Sequence, residues 1–137
     1  MRWYLLITFL IHFINVTGFR IGNFKFAGSC IKDEPVDLFF HALYAGGVTA
    51  FWLWPNIGQW IMLGLFILAN VIFFIFNYRY WIWPNEKKIA GYNRNFSDTH
   101  HIIKPRADVL VPDTFHILLF IKFFVDLIAI TLYIIAV

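Results

Sequence analysis

Charge and sulfur are the scarcest chemistry in this sequence. Only 14% of its 137 residues are Asp, Glu, Lys or Arg, where an ordinary soluble domain has roughly a quarter. Cys30 is the only cysteine, which excludes an intramolecular disulfide and any multi-thiolate zinc or iron–sulfur site within one chain. No charged heptad runs along the chain, so a coiled coil is excluded. There is no glycine-rich phosphate loop, no GxSxG elbow and no HExxH pair, so no named hydrolase, nucleotide or metalloprotease chemistry is encoded locally.

What fills the chain is apolar: 61% of residues are hydrophobic and 21% aromatic, with a mean hydropathy of +0.70. Such aromatic content excludes disorder. A soluble domain this small has too much surface per residue to hide these side chains, so lipid is the expected solvent. The fold class expected is an all-α integral membrane protein, a four-transmembrane-helix bundle forming a single membrane domain over 1–137. Uncharged apolar runs place the spans at about 3–19, 38–54, 58–80 and 114–137, each near the roughly 20 residues needed to cross hydrocarbon. The second is the least regular, with His41, Gly46, Gly47 and Thr49 inside it. Pro55-Asn56-Ile57-Gly58 reads as a tight turn between the second and third spans.

Alternation puts the polar stretches 20–36 and 84–113 on one side. That side holds Arg20, Lys25, Lys32, Arg79, Lys87, Lys88, Arg94, Lys104 and Arg106, against Arg2 on the other. The positive-inside rule makes both stretches cytoplasmic and both termini external, as expected in a bacterial inner (plasma) membrane. Aromatic belts agree: Trp3, Tyr4, Trp52, Trp54, Trp60 and Tyr133 fall at the outer interface, and Tyr78, Tyr80, Trp81 and Trp83 at the inner one. A rival reading takes residues 1–18 as a cleaved signal peptide, but the charge asymmetry and the aromatic content of this segment favour a packed span. Phe19, Ile21, Phe24 and Phe26 around Gly22-Asn23 allow a short hairpin, and the segment 84–113, with breakers at Pro84, Gly91, Pro105 and Pro112, is long for a structureless connection.

Polar residues inside the spans fall on stripes. Thr8, His12 and Asn15 share one helix face, Gln59, Asn70 and Asn77 another, and Lys122 and Asp126 are one turn apart. His12, Asn15, Asn70, Asn77, Lys122 and Asp126 are therefore expected to form an intramembrane polar network. For Lys122 and Asp126 the sequence admits two roles: an ion pair that fixes register or docks a partner span, or a proton or cation site that His12 extends.

Asp37 with His41, and Asp113 with His116, sit at the cytoplasmic starts of the second and fourth spans. Imidazole and carboxylate at one depth admit a divalent metal, while helix capping explains the same acids without one. No cofactor is otherwise expected. Lys87, Lys88, Arg94, Lys104 and Arg106, next to a span, point to anionic lipid or a protein partner rather than nucleic acid. The function expected is that of a small inner-membrane accessory protein, an assembly, regulatory or immunity-type subunit bound to a larger membrane partner. Two alternatives are an oligomeric proton or ion pathway using Asp126, Lys122 and His12, and a membrane metalloprotein. Besides the bilayer, the partner is a protein, in a hetero-complex or a homo-oligomer.

Overall fold

The structure, a computed structural model, describes residues 1–22, 24–26 and 35–137. Four long helices, a two-stranded hairpin and a folded segment at one end make up the described chain. Helix α1 runs Arg2–Thr17. Strands β1 (Phe19–Ile21) and β2 (Phe24–Phe26) pair antiparallel, with Arg20 opposite Lys25. Gly22 takes the positive φ of 59° that such a reversal needs. Helix α2 spans Pro35–Leu53, and α3 spans Pro55–Phe73. A π turn (Phe74–Tyr78) continues α3 into a last α turn, α4 (Arg79–Ile82). Helix α5 is Glu86–Asn95, and α6 is Thr114–Ala136.

The packing follows apolar residues at helical spacing. Leu5 of α1, Tyr44, Val48 and Phe51 of α2, Met62, Phe66 and Ala69 of α3, and Leu119, Phe123 and Ile130 of α6 form the buried core. The principal contacts run α1 to α2, α2 to α3, α3 to α6, and α6 back to α1, an up-and-down ring of four helices. The rings of Tyr44 and Phe66 meet edge to face at 5.6 Å near its centre.

Pro55-Asn56-Ile57-Gly58 is not a turn. Proline loses nothing at the first position of a helix, where its missing N–H has no partner to donate to, and Pro55 opens α3 instead. Trp54 is the single residue between α2 and α3, its carbonyl accepting from Ile57 N at 3.0 Å and Gly58 N at 2.8 Å. Gly58 is buried against α2, where an added Cβ would meet the Ala50 carbonyl carbon at 2.7 Å and the Phe51 backbone closer still. The small-residue surface of α2 meets α3 through Gly47, which faces Met62 and Leu65, whereas nothing lies within 4 Å of Gly46.

Two helices are long and apolar enough to cross a membrane: Pro55–Phe76, 22 residues, and Thr114–Ala136, 23 residues. Only 17% and 22% of their apolar windows are buried inside the chain, so these are not the enclosed core helices of a soluble fold. Arg2–Ile14 and Leu38–Leu53 are apolar but shorter, and the expectation of four spans is met in length by two.

Between α4 and α6 the chain folds rather than loops. Asn85 caps α5 by accepting from Lys88 N at 3.1 Å, and Glu86 sits in its first turn. Gly91, expected to break structure, lies inside this helix. Ile89 is buried while Lys87 and Arg94, about one helical face away, are exposed. His100 N donates to Lys25 O at 2.9 Å and Thr114 N to His100 O at 2.9 Å, and Lys25 pairs with Asp98 at 2.5 Å. The segment is thereby tied to both the hairpin and α6.

Candidate functional site

Halfway along α6, Lys122 and Asp126 project from successive turns into the ring. Asp126 is 1% exposed and its carboxylate is engaged on both oxygens. Lys122 Nζ lies 2.6 Å from Oδ2; the Tyr4 hydroxyl of α1 donates to Oδ1 at 2.8 Å; the Tyr44 hydroxyl of α2 lies 3.4 Å from Oδ2. Lys122 also donates to the Tyr44 hydroxyl at 3.3 Å, and its ammonium sits 4.4 Å from the Phe123 ring centroid. Thr8 closes the cluster at 2.9 Å from the Tyr44 hydroxyl. The expected ion pair is therefore present, and neutral hydroxyls from two other helices complete its coordination. Such completeness is what a buried pair needs to offset desolvation.

Asn70 of α3 joins the same helix by another route, its Nδ2 donating to Phe66 O at 2.8 Å and Phe123 O at 3.1 Å. Gln59 does not face the ring; its Nε2 reaches Asn56 O of its own helix at 3.5 Å. The side chains of Asn15, Asn77 and Asp37 lie outside the described residues.

His12, on the expected stripe, is 3% exposed and stacks on His41 with centroids 5.3 Å apart and planes at 22°. Around it stand Phe40, Tyr44 and Phe123. Both nitrogens of His12 and Nδ1 of His41 are buried without a hydrogen-bond partner among the described residues. This is the least satisfied polar position in the ring, since buried polar groups are normally paired.

A second cluster lies at the start of α6. Asp113 caps the helix, its Oδ1 accepting from His116 N at 3.0 Å and lying 2.6 Å from His116 Nδ1. The Tyr92 hydroxyl of α5 accepts from Asp113 N at 3.1 Å and lies 3.0 Å from His116 Nδ1. Tyr78 donates to His116 O at 3.2 Å. Burial alone would raise the Asp113 carboxyl, but the hydrogen bond and charge of His116 outweigh it and hold the group below the usual carboxylate range. Burial and the neighbouring Asp113 push the Tyr92 hydroxyl up, keeping it neutral. The cluster does the capping work anticipated for Asp113 and in addition docks α5 on α6.

Of the anticipated metal ligands, Asp113 and His116 stay together, His41 lies in a different cluster, and the Asp37 side chain is outside the described residues. His41 packs among Phe9, His12 and Phe13, and His116 among Phe73, Tyr92, Phe96 and Phe115. Among the described residues no group of three or more His, Cys, Asp or Glu could hold a metal ion. Lys87, Lys88, Arg94, Lys104 and Arg106 are exposed, and Arg106 pairs with Asp108 at 2.5 Å.

Tyr4 and Tyr44 are the network residues that sequence reading passed over. Tyr4 reads as an interfacial belt residue, yet it extends the Thr8–His12 stripe by one turn, which is the signal that finds it. Tyr44 follows His41 by three residues on one face, but only the fold brings it to Asp126. No protein-family model, curated protein or solved structure matches this chain.

Proposed function

We propose that this chain is a non-enzymatic membrane protein with four spans, acting as an accessory, assembly or immunity-type subunit of a larger membrane protein. Its spans are α1, α2, α3 and α6. Tyr4 of α1 and Tyr44 of α2 meet Asp126 halfway along α6, and Thr8 of α1 meets the Tyr44 hydroxyl, which supports placing the two shorter apolar stretches at the depth of the two long ones. The hairpin and α5 carry the basic residues and face the cytoplasm, and both termini lie outside, in a bacterial inner membrane.

The observation that carries the subunit reading is the closure of the Lys122–Asp126 pair. Its charges are spent on Tyr4 and Tyr44, so they serve to hold the ring rather than to pass a solute. What remains for recognition is outside: the apolar outer faces of the helices and the exposed Lys87 and Arg94 of α5. The test is native mass measurement on complexes extracted from the source membrane. A hetero-complex of defined stoichiometry, weakened by Lys87→Glu with Arg94→Glu, supports the reading. A homo-oligomer of unchanged mass in that variant overturns it.

A second reading, an oligomeric proton or ion pathway, is favoured by the unpartnered His12–His41 stack beside the ion pair. Proton flux into proteoliposomes that is abolished by Asp126→Asn would establish it, and no flux above empty vesicles would remove it.

A further inference from the structure

The end of the ring opposite the hairpin carries a depression of about 430 Å³, open to the surface and lined by Met1, Arg2, Trp3, Phe51, Trp52, Pro55 and Tyr133. Its walls are aromatic and held against one another. Trp3 meets Trp52 edge to face at 5.4 Å and 89°, and Phe51 packs on Tyr133 at 5.5 Å. Over Trp52 lies the Arg2 guanidinium, 5.6 Å from the ring centroid. Among the described residues no acid pairs with Arg2, and no other basic side chain lines the depression.

We propose that this depression seats the phosphate headgroup of an anionic membrane lipid. The proposal rests on the membrane-spanning reading and adds a ligand to the end of the bundle that α5 does not reach. A guanidinium held over an indole face with no acid beside it among the described residues keeps N–H groups for a ligand, and the planar fork of those donors matches a phosphate. Trp and Tyr rings stand where the headgroup level of a bilayer falls, so the cation and the aromatic walls meet a lipid at its phosphate and glycerol. The acyl chains continue over the exposed apolar faces of α1 and α6, where Ile7 and Leu132 are open to the surface. Charge selects the headgroup. Phosphatidylglycerol offers Arg2 a net anion, whereas phosphatidylcholine brings a second cation against it.

The experiment is native mass spectrometry of the full chain released from detergent after incubation with phosphatidylglycerol, phosphatidylcholine, glycerol 3-phosphate or inorganic phosphate. The wild type retains one phosphatidylglycerol, and phosphatidylcholine is retained about tenfold less, the loss expected for one charge-assisted contact. Arg2→Gln lowers phosphatidylglycerol retention by a similar factor, and Arg2→Lys restores part of it because charge returns without the planar fork of donors. Among the described residues Arg2 makes no hydrogen bond that the ring depends on, so an unchanged melting temperature accompanies the loss. Three results overturn the proposal: Arg2→Gln retaining phosphatidylglycerol like the wild type, the free phosphates binding as tightly as the lipid, or Lys87→Glu with Arg94→Glu releasing the lipid in its place. Partner mass is read from separate complexes, so failure of the lipid seat leaves the subunit reading intact, and the converse holds.

Discussion

Lys122 Nζ and Asp126 Oδ2 stand 2.6 Å apart on successive turns of α6, with side chains 11% and 1% exposed. An ion pair so enclosed derives its value from its surroundings, because the attraction between the charges is largely offset by the loss of water. Tyr4, Tyr44 and Thr8 supply those surroundings from two other helices. Breaking the pair and replacing the pair are thus different experiments.

Asp126→Leu alone strands the Lys122 ammonium and costs about 3–5 kcal/mol of stability. Combined with Lys122→Met the loss shrinks to a small residue, since two apolar side chains suit the site. Unfolding in detergent of the two single variants and the double variant checks this, and purely additive losses would count against a closed pair.

His12→Phe should stabilise the ring by about 1 kcal/mol. The substitution removes two unpartnered buried nitrogens, each carrying a desolvation penalty of about 1–3 kcal/mol, and keeps an aromatic ring among Phe40, Tyr44 and Phe123, at some cost in volume. A higher melting temperature is the expected result. A drop of similar size would mean that the imidazole is engaged by something bound, and would strengthen the pathway reading.

Gly58→Ala and Gly64→Ala lie in the same helix and should move stability in opposite directions. An alanine methyl at Gly58 collides with the backbone of Ala50 and Phe51, which cannot yield as a side chain does, so the cost is about 1–3 kcal/mol. At Gly64 nothing lies within 4 Å, and removing a flexible glycine from a helix interior gains about 0.5–1 kcal/mol. Thermal unfolding of both variants distinguishes a close helix crossing from a generic glycine effect.

Acid should release α5 from α6. The Asp113 carboxyl is held below its ordinary value in the fold, so its contribution is complete above the unfolded value of about 3.9. It is lost as pH falls through the lower folded value. Thermal midpoints in detergent at descending pH should therefore fall only below about pH 4. Asp113→Asn should start lower and respond less in that window; an equal acid slope in both proteins would place the titration elsewhere.

Much of the architecture was legible because helical spacing writes it directly. The last span, 114–137, matches α6 almost to the residue, since Pro112-Asp113 starts it with proline and a capping acid. The hairpin around Gly22-Asn23 was legible for the same local reason. Pro55 misled because proline breaks a helix only after its first turn, and the run Pro-Asn-Ile-Gly gives both signals at once. Helix α5 was hidden because its apolar face is only Ile89 and Tyr92, too narrow a stripe to stand out without the α6 surface it covers. Lys122 and Asp126 announced themselves as charges in an apolar run. Tyr4 and Tyr44 did not, because a tyrosine in such a run looks the same whether its hydroxyl meets water, headgroups or a carboxylate on a helix far along the chain. Side-chain partners of high sequence separation are set by the crossing of helices, and no local pattern encodes them.

The single-residue connection at Trp54 has a consequence for how the chain enters a bilayer. With no slack between Leu53 and Pro55, α2 and α3 cannot be handed to lipid one after the other as separate rods. In the proposed four-span arrangement the more apolar α3 therefore carries α2, whose apolar stretch Leu38–Leu53 is the shorter, across with it, and the insertion free energy of the hairpin is shared between the two arms. Lengthening the joint with flexible residues would uncouple them, leaving α2 to partition on its own hydrophobicity and exposing how little of its transmembrane placement is its own.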